Sequence, residues 1–228
     1  MKPNLILKMR QKESGRRFLL LGTAALALAP SAARAQGVLD AGGMTFRDFA
    51  VADRGSSFNR IDPVIGSGAV PTQARILSVD NDGGFARVRF EAIRVEVAMP
   101  LGWQANEDWE RGVGFSSDKH FRLIVWRVDF AFEGVNDAEH YAATKSGAIK
   151  ARKPGIQAQA RKLGDGSFLI VYQNVPGEGE QRAVFDLVVP RPGMPKEGVL
   201  MTLGVPAPDA ERGLRLMSLL KQKIRIDW

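Results

Sequence analysis

Three features of the sequence predict an α+β fold built as one twisted antiparallel sheet with helices packed against its faces. Alternating, strand-like runs follow one another across short turn signals from residue 74 onward. Two segments, 137–152 and 209–224, carry apolar residues at helical spacing instead. The strand runs are joined mostly by tight turns, which antiparallel neighbours allow, whereas parallel neighbours need long crossovers.

Taken in order, residues 36–73 are rich in Gly, Ser, Ala and Asp and lack a sustained period of two or 3.6. They read as an irregular lead-in with one short strand at 44–49. Runs 75–79 and 85–90 flank Asp80-Asn81-Asp82-Gly83-Gly84, a turn signal, and form the first hairpin. Next, Ile93, Val95, Val97 and Met99 alternate with Arg94, Glu96 and Ala98, so one face is buried and the other wet, until Pro100 and Gly102-Trp103 end the strand. The strongest strand is 121–132, with Ile124, Trp126, Val128, Phe130 and Phe132 on one face and Arg127 and Asp129 on the other. Its stripe of Trp126, Phe130 and Phe132 is expected in the core.

The helix at 137–152 has Asn136 as its N-cap, Glu139 placed to return a bond, and Tyr141, Ala142, Ala148 and Ile149 as its apolar stripe. Pro154-Gly155 stops it. Runs 156–163 and 167–173 make a hairpin around Gly164-Asp165-Gly166, and 182–189 and 198–203 add two strands. The closing helix, 209–224, has Asp209 near its positive end and Leu216, Met217, Leu220 and Ile224 on one stripe. These elements define a domain at 74–228 without internal repeats.

Residues 1–35 read as an address. From Phe18 to Ala33 the chain has no charge, but Pro30 interrupts the run and a bilayer-spanning helix needs about 20 apolar residues. A basic region precedes it, and Ala33-Arg34-Ala35 then offers the small-x-small pattern of a signal-peptidase site, with cleavage between Ala35 and Gln36. Arg16-Arg17-Phe18-Leu19-Leu20 resembles the twin-arginine export signal, and the general secretory route stays open beside it. The expected location is therefore the periplasm, with no transmembrane segment in the mature chain. The whole chain has 32 basic and 25 acidic residues; residues 1–35 hold seven basic and one acidic, which leaves 25 against 24. A remainder so nearly neutral carries no electrostatic footprint for nucleic acid. The absence of cysteine excludes disulfides, thiolate nucleophiles and thiolate zinc sites.

Candidate chemistry is sparse. Ser116-Ser117-Asp118-Lys119, Tyr172-Gln173-Asn174 and Lys145-Ser146-Gly147 match the three short signatures of penicillin-binding serine enzymes. Lys119, however, leads into a strand instead of facing the serine from a helix, and the third motif lies in a helix and precedes the second. No catalytic residue is assigned. Asp80, Asp82 and Gly83 lack the closing acid of a calcium loop, since Arg89 stands there, and read as a turn. His120 and His140 have no ligand spacing, so no metal and no cofactor are expected. Lys145, Lys150, Arg152, Lys153, Arg161 and Lys162 fall together without an intervening acid. They read as a solvated helix end or as a docking patch for an acidic partner or anionic lipid headgroups.

The strand leading into Met99-Pro100-Leu101-Gly102-Trp103, the run Phe121-Arg122-Leu123-Ile124-Val125-Trp126, the helix opening at Asn136-Asp137-Ala138-Glu139, four further strands and a closing amphipathic helix together resemble the PsbP-like family. The resemblance covers roughly residues 94–228 and implies an α/β/α sandwich. It also implies a non-catalytic envelope accessory or interaction protein that binds another envelope component, and it transfers no functional residue. The alternative is a periplasmic carrier holding a small apolar or lipid ligand between helix and sheet.

Overall fold

The computed structural model of the chain describes residues 39–51, 74–107 and 109–228. The export segment, the Ala35–Gln36 junction and lead-in residues 36–38 and 52–73 lie outside the described residues.

Every strand pair is antiparallel, but the strands form two sheets where one was expected. β1 (Arg75–Asp80), β2 (Phe85–Phe90), β3 (Val95–Pro100) and the short C-terminal β11 (Arg225–Ile226) make a four-stranded sheet in that order. β4 (Trp103–Glu107), β5 (Arg111–Ser116), β6 (Arg122–Asp129), β7 (Gln157–Lys162), β8 (Phe168–Pro176), β9 (Gln181–Arg191) and β10 (Met194–Pro206) make a seven-stranded sheet, ordered β4-β5-β6-β10-β9-β8-β7.

The change of sheet happens at Pro100-Leu101-Gly102-Trp103. Gly102 has φ +82°, and a Cβ there would lie 2.0 Å from the Val51 carbonyl oxygen, so the corner closes only with glycine. Trp103 then enters the core and donates its indole N–H to the Phe49 carbonyl at 3.0 Å. β4 and β5 escape a reading by periodicity because Gln104, Asn106, Gly112 and Gly114 dilute their alternation. Gly112 is required by packing: a Cβ would sit 2.3 Å from the Phe90 ring, which lies directly on the β5 backbone.

α1 (Ala138–Arg152) packs on one face of the seven-stranded sheet, and α2 (Ala210–Lys223) shares the other with the four-stranded sheet. A helix on each face is thus present, but the second helix layer is half sheet. α2 buries Leu216, Met217 and Leu220, as its stripe requires, while Ile224 is its C-cap. The Ser218 hydroxyl donates to the Leu39 carbonyl at 3.0 Å, and Leu39, Phe46 and Phe49 join the same core, so the folded body extends upstream of residue 74.

Three local expectations are corrected. Residues 44–49 form no strand. A 3-10 turn spans Phe46–Phe49, because the Asp48 carboxylate turns back to accept the Thr45 amide at 2.7 Å. The N-cap of α1 is Asp137, not Asn136: its carboxylate accepts the His140 amide at 2.8 Å, while Glu139 reaches Lys162 at 3.2 Å. Finally, β6 stops at Asp129, whose carboxylate accepts the Ala131 amide, and the turn that follows throws Phe132 outward to 89% exposure instead of into the core. Leu123 and Val125, on the opposite face from Trp126, are fully buried.

The Glu107 carboxylate, nearly inaccessible, accepts the amides of Glu91 (3.0 Å) and Ala92 (2.8 Å) and so ties the β2–β3 turn to the large sheet. Burial pushes its pKa up, against the pull of those amides.

Candidate interaction face

The pleat decides which side chains stand on the α1 side of the seven-stranded sheet. Directly opposed residues share a face. By register, Phe115, Arg122 and Gly204 stand together, as do Val113, Ile124, Thr202 and Asp186, and likewise Arg111, Trp126, Leu200 and Val188. The face continues through Phe168, Ile170 and Tyr172 to Ala158 and Ala160.

α1 covers only part of it. Ala138, Tyr141, Ala142 and Ser146 are its buried residues, and beneath them Phe168, Ile170, Val188, Leu200 and Phe130 form a packed cluster. The Phe130 and Tyr141 rings meet at 5.3 Å. Over β4, β5 and the first half of β6 there is no such cover among the described residues. Gln104, Asn106, Val113, Phe115, Ile124 and Trp126 are all half-buried, although their neighbours on the opposite face are fully buried.

A polar cluster marks the boundary between the covered and open parts. Lys145 on α1 places Nζ 2.9 Å from Asp186 Oδ2, and the Thr202 hydroxyl donates to Asp186 Oδ1 at 2.5 Å. Asp186 is 2% exposed. Lys145 also lies over the Tyr141 and Trp126 rings, at 5.5 and 5.9 Å. Burial works against its charge, but Asp186 and Tyr141 outweigh it and hold the ammonium pKa above the usual lysine value. Burial, with the Asp186 charge adding to it, pushes the Tyr172 hydroxyl far above the ordinary phenol range. That hydroxyl is buried without a hydrogen-bonding partner. The cluster has the form of a structural ion pair: its base is a strongly held cation, and it presents no activated nucleophile.

Two grooves open along β6 on this side. One, about 520 Å³, has Ile124, Val184, Thr202 and Gly204 as its floor and Lys119, Arg122 and Arg182 on its rim, with Glu178 and Glu180 at its end. Arg182 is committed, donating to the carbonyls of His120 (2.6 Å) and Gly204 (3.2 Å). The other, about 750 Å³, wraps round the end of β6: Arg111, Trp126 and Val128 line it from this face, Ile93, Arg127 and Asp129 from the other, and Trp109, Phe132 and Glu133 from the adjoining turns. Trp109 is 70% exposed, an unusual position for a side chain of that size.

The six basic residues expected to act together are separated. Lys145 turns inward to Asp186, Lys162 pairs with Glu139 and lies over the Phe168 ring, and Arg161 stands opposite Leu169 on the far face of the sheet. Lys150, Arg152 and Lys153 alone share the exposed end of α1. Of the serine-enzyme signatures, Ser116 is fully buried; its hydroxyl bonds the Asp118 carboxylate and accepts the Phe121 amide at 3.0 Å. Lys119 sits in that same turn at φ +62°. Asp80 accepts the Gly83 amide at 2.7 Å within the β1–β2 turn. Both histidines are exposed. Sequence reading missed Asp186, although one carboxylate inside the apolar run Ala-Val-Phe-Asp-Leu-Val-Val was a signal that something must face it.

No protein family and no curated protein matches this chain. Among solved structures it is similar to the Ran-binding protein Mog1p of Saccharomyces cerevisiae, at 12% identity over 62% of this chain and 95% of that one, with a TM-score of 0.46. It is likewise similar to cyanobacterial PsbP (CyanoP) from Synechocystis sp. PCC 6803, at 14% identity over 66% of this chain and 98% of that one, also with a TM-score of 0.46. At these identities neither similarity carries a residue role to this chain.

Proposed function

We propose that this chain is a non-catalytic interaction protein of the bacterial envelope, exported by residues 1–35, cut between Ala35 and Gln36, and holding an envelope component on the uncovered half of its large sheet. One observation carries the reading: Val113, Phe115, Ile124 and Trp126 stand half-buried on a sheet face that no element of the described chain covers, with Trp109 and Phe132 largely exposed in the turns at its end. Lys150, Arg152 and Lys153 supply a secondary contact with an acidic partner or with anionic headgroups at the membrane surface.

The carrier reading is weaker on geometry, because the space between α1 and the sheet is filled by Phe130, Tyr141, Phe168, Ile170 and Tyr172. The test is expression of the full chain with a photo-crosslinking residue at Ile124 or, as a control, at Gln222 on α2. N-terminal sequencing should begin at Gln36 in the periplasmic fraction, and a discrete protein adduct should form from position 124 and not from 222. A product that begins at Met1 and stays cytosolic, or equal labelling from both positions, would overturn the reading.

A further inference from the structure

β1 is the outer strand of the four-stranded sheet and has no second neighbour among the described residues. The other sheet edges are blunted: β11 has two residues, β7 reads Gln-Ala-Gln-Ala-Arg-Lys beside α1, and β4 is held at Glu107 by the β2–β3 turn. β1 instead carries Ile76, Leu77 and Val79 within six residues, with Leu77 45% and Val79 41% exposed. The backbone groups along a sheet edge accept an extended strand, so the seat itself defines the class of occupant.

The side chains narrow that class to one sequence. The β1–β2 register skips at Leu77, so Ile76 and Val79 stand opposite the fully buried Val88 and Ala86, on the core side. Arg75, Ser78 and Asp80 stand opposite Arg89, Arg87 and Phe85, on the other side. Turning the strand end for end exchanges Arg75 with Asp80 and Ile76 with Val79, and each residue lands on the side it left. Arg-Ile-Leu-Ser-Val-Asp is therefore complementary to itself in antiparallel pairing, whereas parallel pairing in register sets like charges against each other at both ends. Arg75 bonds Glu91 and keeps further guanidinium N–H groups, while the Gly83 amide fixes the Asp80 carboxylate at the strand end (2.7 Å). The skip at Leu77 throws a regular strand out of step, but a second copy sets bulge against bulge.

We infer that two copies of this chain pair through β1, antiparallel about a two-fold axis between Leu77 and Ser78. Arg75 of each copy faces Asp80 of the other, Ile76 faces Val79, and the two small sheets join into one.

The experiment uses the protein expressed from its full chain. Sedimentation velocity between about 1 and 200 µM should show a monomer–dimer equilibrium, weak because two six-residue strands bury less than a standard interface. Leu77→Lys should leave monomer throughout and the melting temperature unchanged, since Leu77 is exposed. Because the chain has no cysteine, introduced thiols report the register. A mixture of Ile76→Cys and Val79→Cys variants should form the mixed disulfide about tenfold faster than either variant joins to itself. Positions 76 and 79 face each other across the seam, whereas like positions lie about 10 Å apart along it.

Monomer at every concentration, or a dimer that Leu77→Lys leaves intact, would overturn the inference. Faster joining of like positions than of the mixed pair would overturn it as well.

Discussion

On the α1 side of the seven-stranded sheet, two halves share one hydrogen-bonded register and differ in what lies on them. The β7–β10 half presents Phe168, Ile170, Val188 and Leu200, all buried beneath α1. The β4–β6 half presents Val113, Phe115, Ile124 and Trp126 at half burial, interspersed with Gln104, Asn106, Arg111 and Arg122. Alternation alone does not distinguish them. What differs is the polar fraction of the stripe. α1 contributes mostly small buried groups, Ala138, Ala142 and Ser146, so it seats itself only where the sheet supplies the bulk. Where the sheet supplies amides and guanidinium groups, the chain's own helix stays away and a surface is left for something else.

Substitutions separate the two halves quantitatively. The largest effect is expected for Phe130→Ala in the covered half, which should lower unfolding stability by about 3–5 kcal/mol in urea titration. A loss below about 1 kcal/mol would mean that α1 is not part of the cooperative core. At the boundary, Lys145→Ala leaves Asp186 buried and unpaired and should cost about 3 kcal/mol, whereas joining Lys145→Met to Asp186→Leu should restore most of it. If the double variant is no more stable than the single one, the pair does more than neutralise a buried charge.

A smaller effect is expected from acid. Desolvation raises the pKa of the exposed Asp165, but its bonds with Lys221 (2.5 Å) and Ser167 outweigh this and hold the carboxyl below the usual range. Its folded pKa lies beneath its unfolded one. The stabilisation is therefore complete above the unfolded value of about 3.9 and is lost as pH falls through the folded value. Asp165→Asn should flatten that part of the stability profile, and a profile identical to the parent's would rule out the Lys221 contact as its source. Smallest of all, Trp109→Ala and Phe132→Ala in the open half should change melting stability by no more than about 0.5 kcal/mol. A large loss from either would mean that these rings are packed, and the contrast between the halves would disappear.

Much of the fold was legible. The paired runs about Asp80–Gly84 and Gly164–Gly166, the two helices and the strands of β8, β9 and β10 all follow from periodicity and turn chemistry. Division into two sheets was not, because a corner such as Pro100–Trp103 reads locally as a strand end and only its tertiary contact with Val51 shows that the chain changes layer. Neither was the interaction face. The strand carrying Trp126 and Phe132 reads as core, since exposure depends on what lies across the face and no local spacing encodes an absent cover. The basic residues after Glu139 are close in sequence, yet helix phase and sheet pleat send Lys145 inward and Arg161 to the far side.

β11 has a further consequence. Its Arg225 and Ile226 pair with Glu96 and Val95, the Asp227 amide reaches the Arg94 carbonyl at 3.0 Å, and Trp228 lies 5.3 Å beneath the Arg127 guanidinium. Until Arg225 and Ile226 dock, the small sheet lacks its fourth strand and Arg127 lacks its aromatic partner. Closure of this seam therefore joins segments about 130 residues apart, and the loop-closure entropy between them must be met before the seam adds any stability.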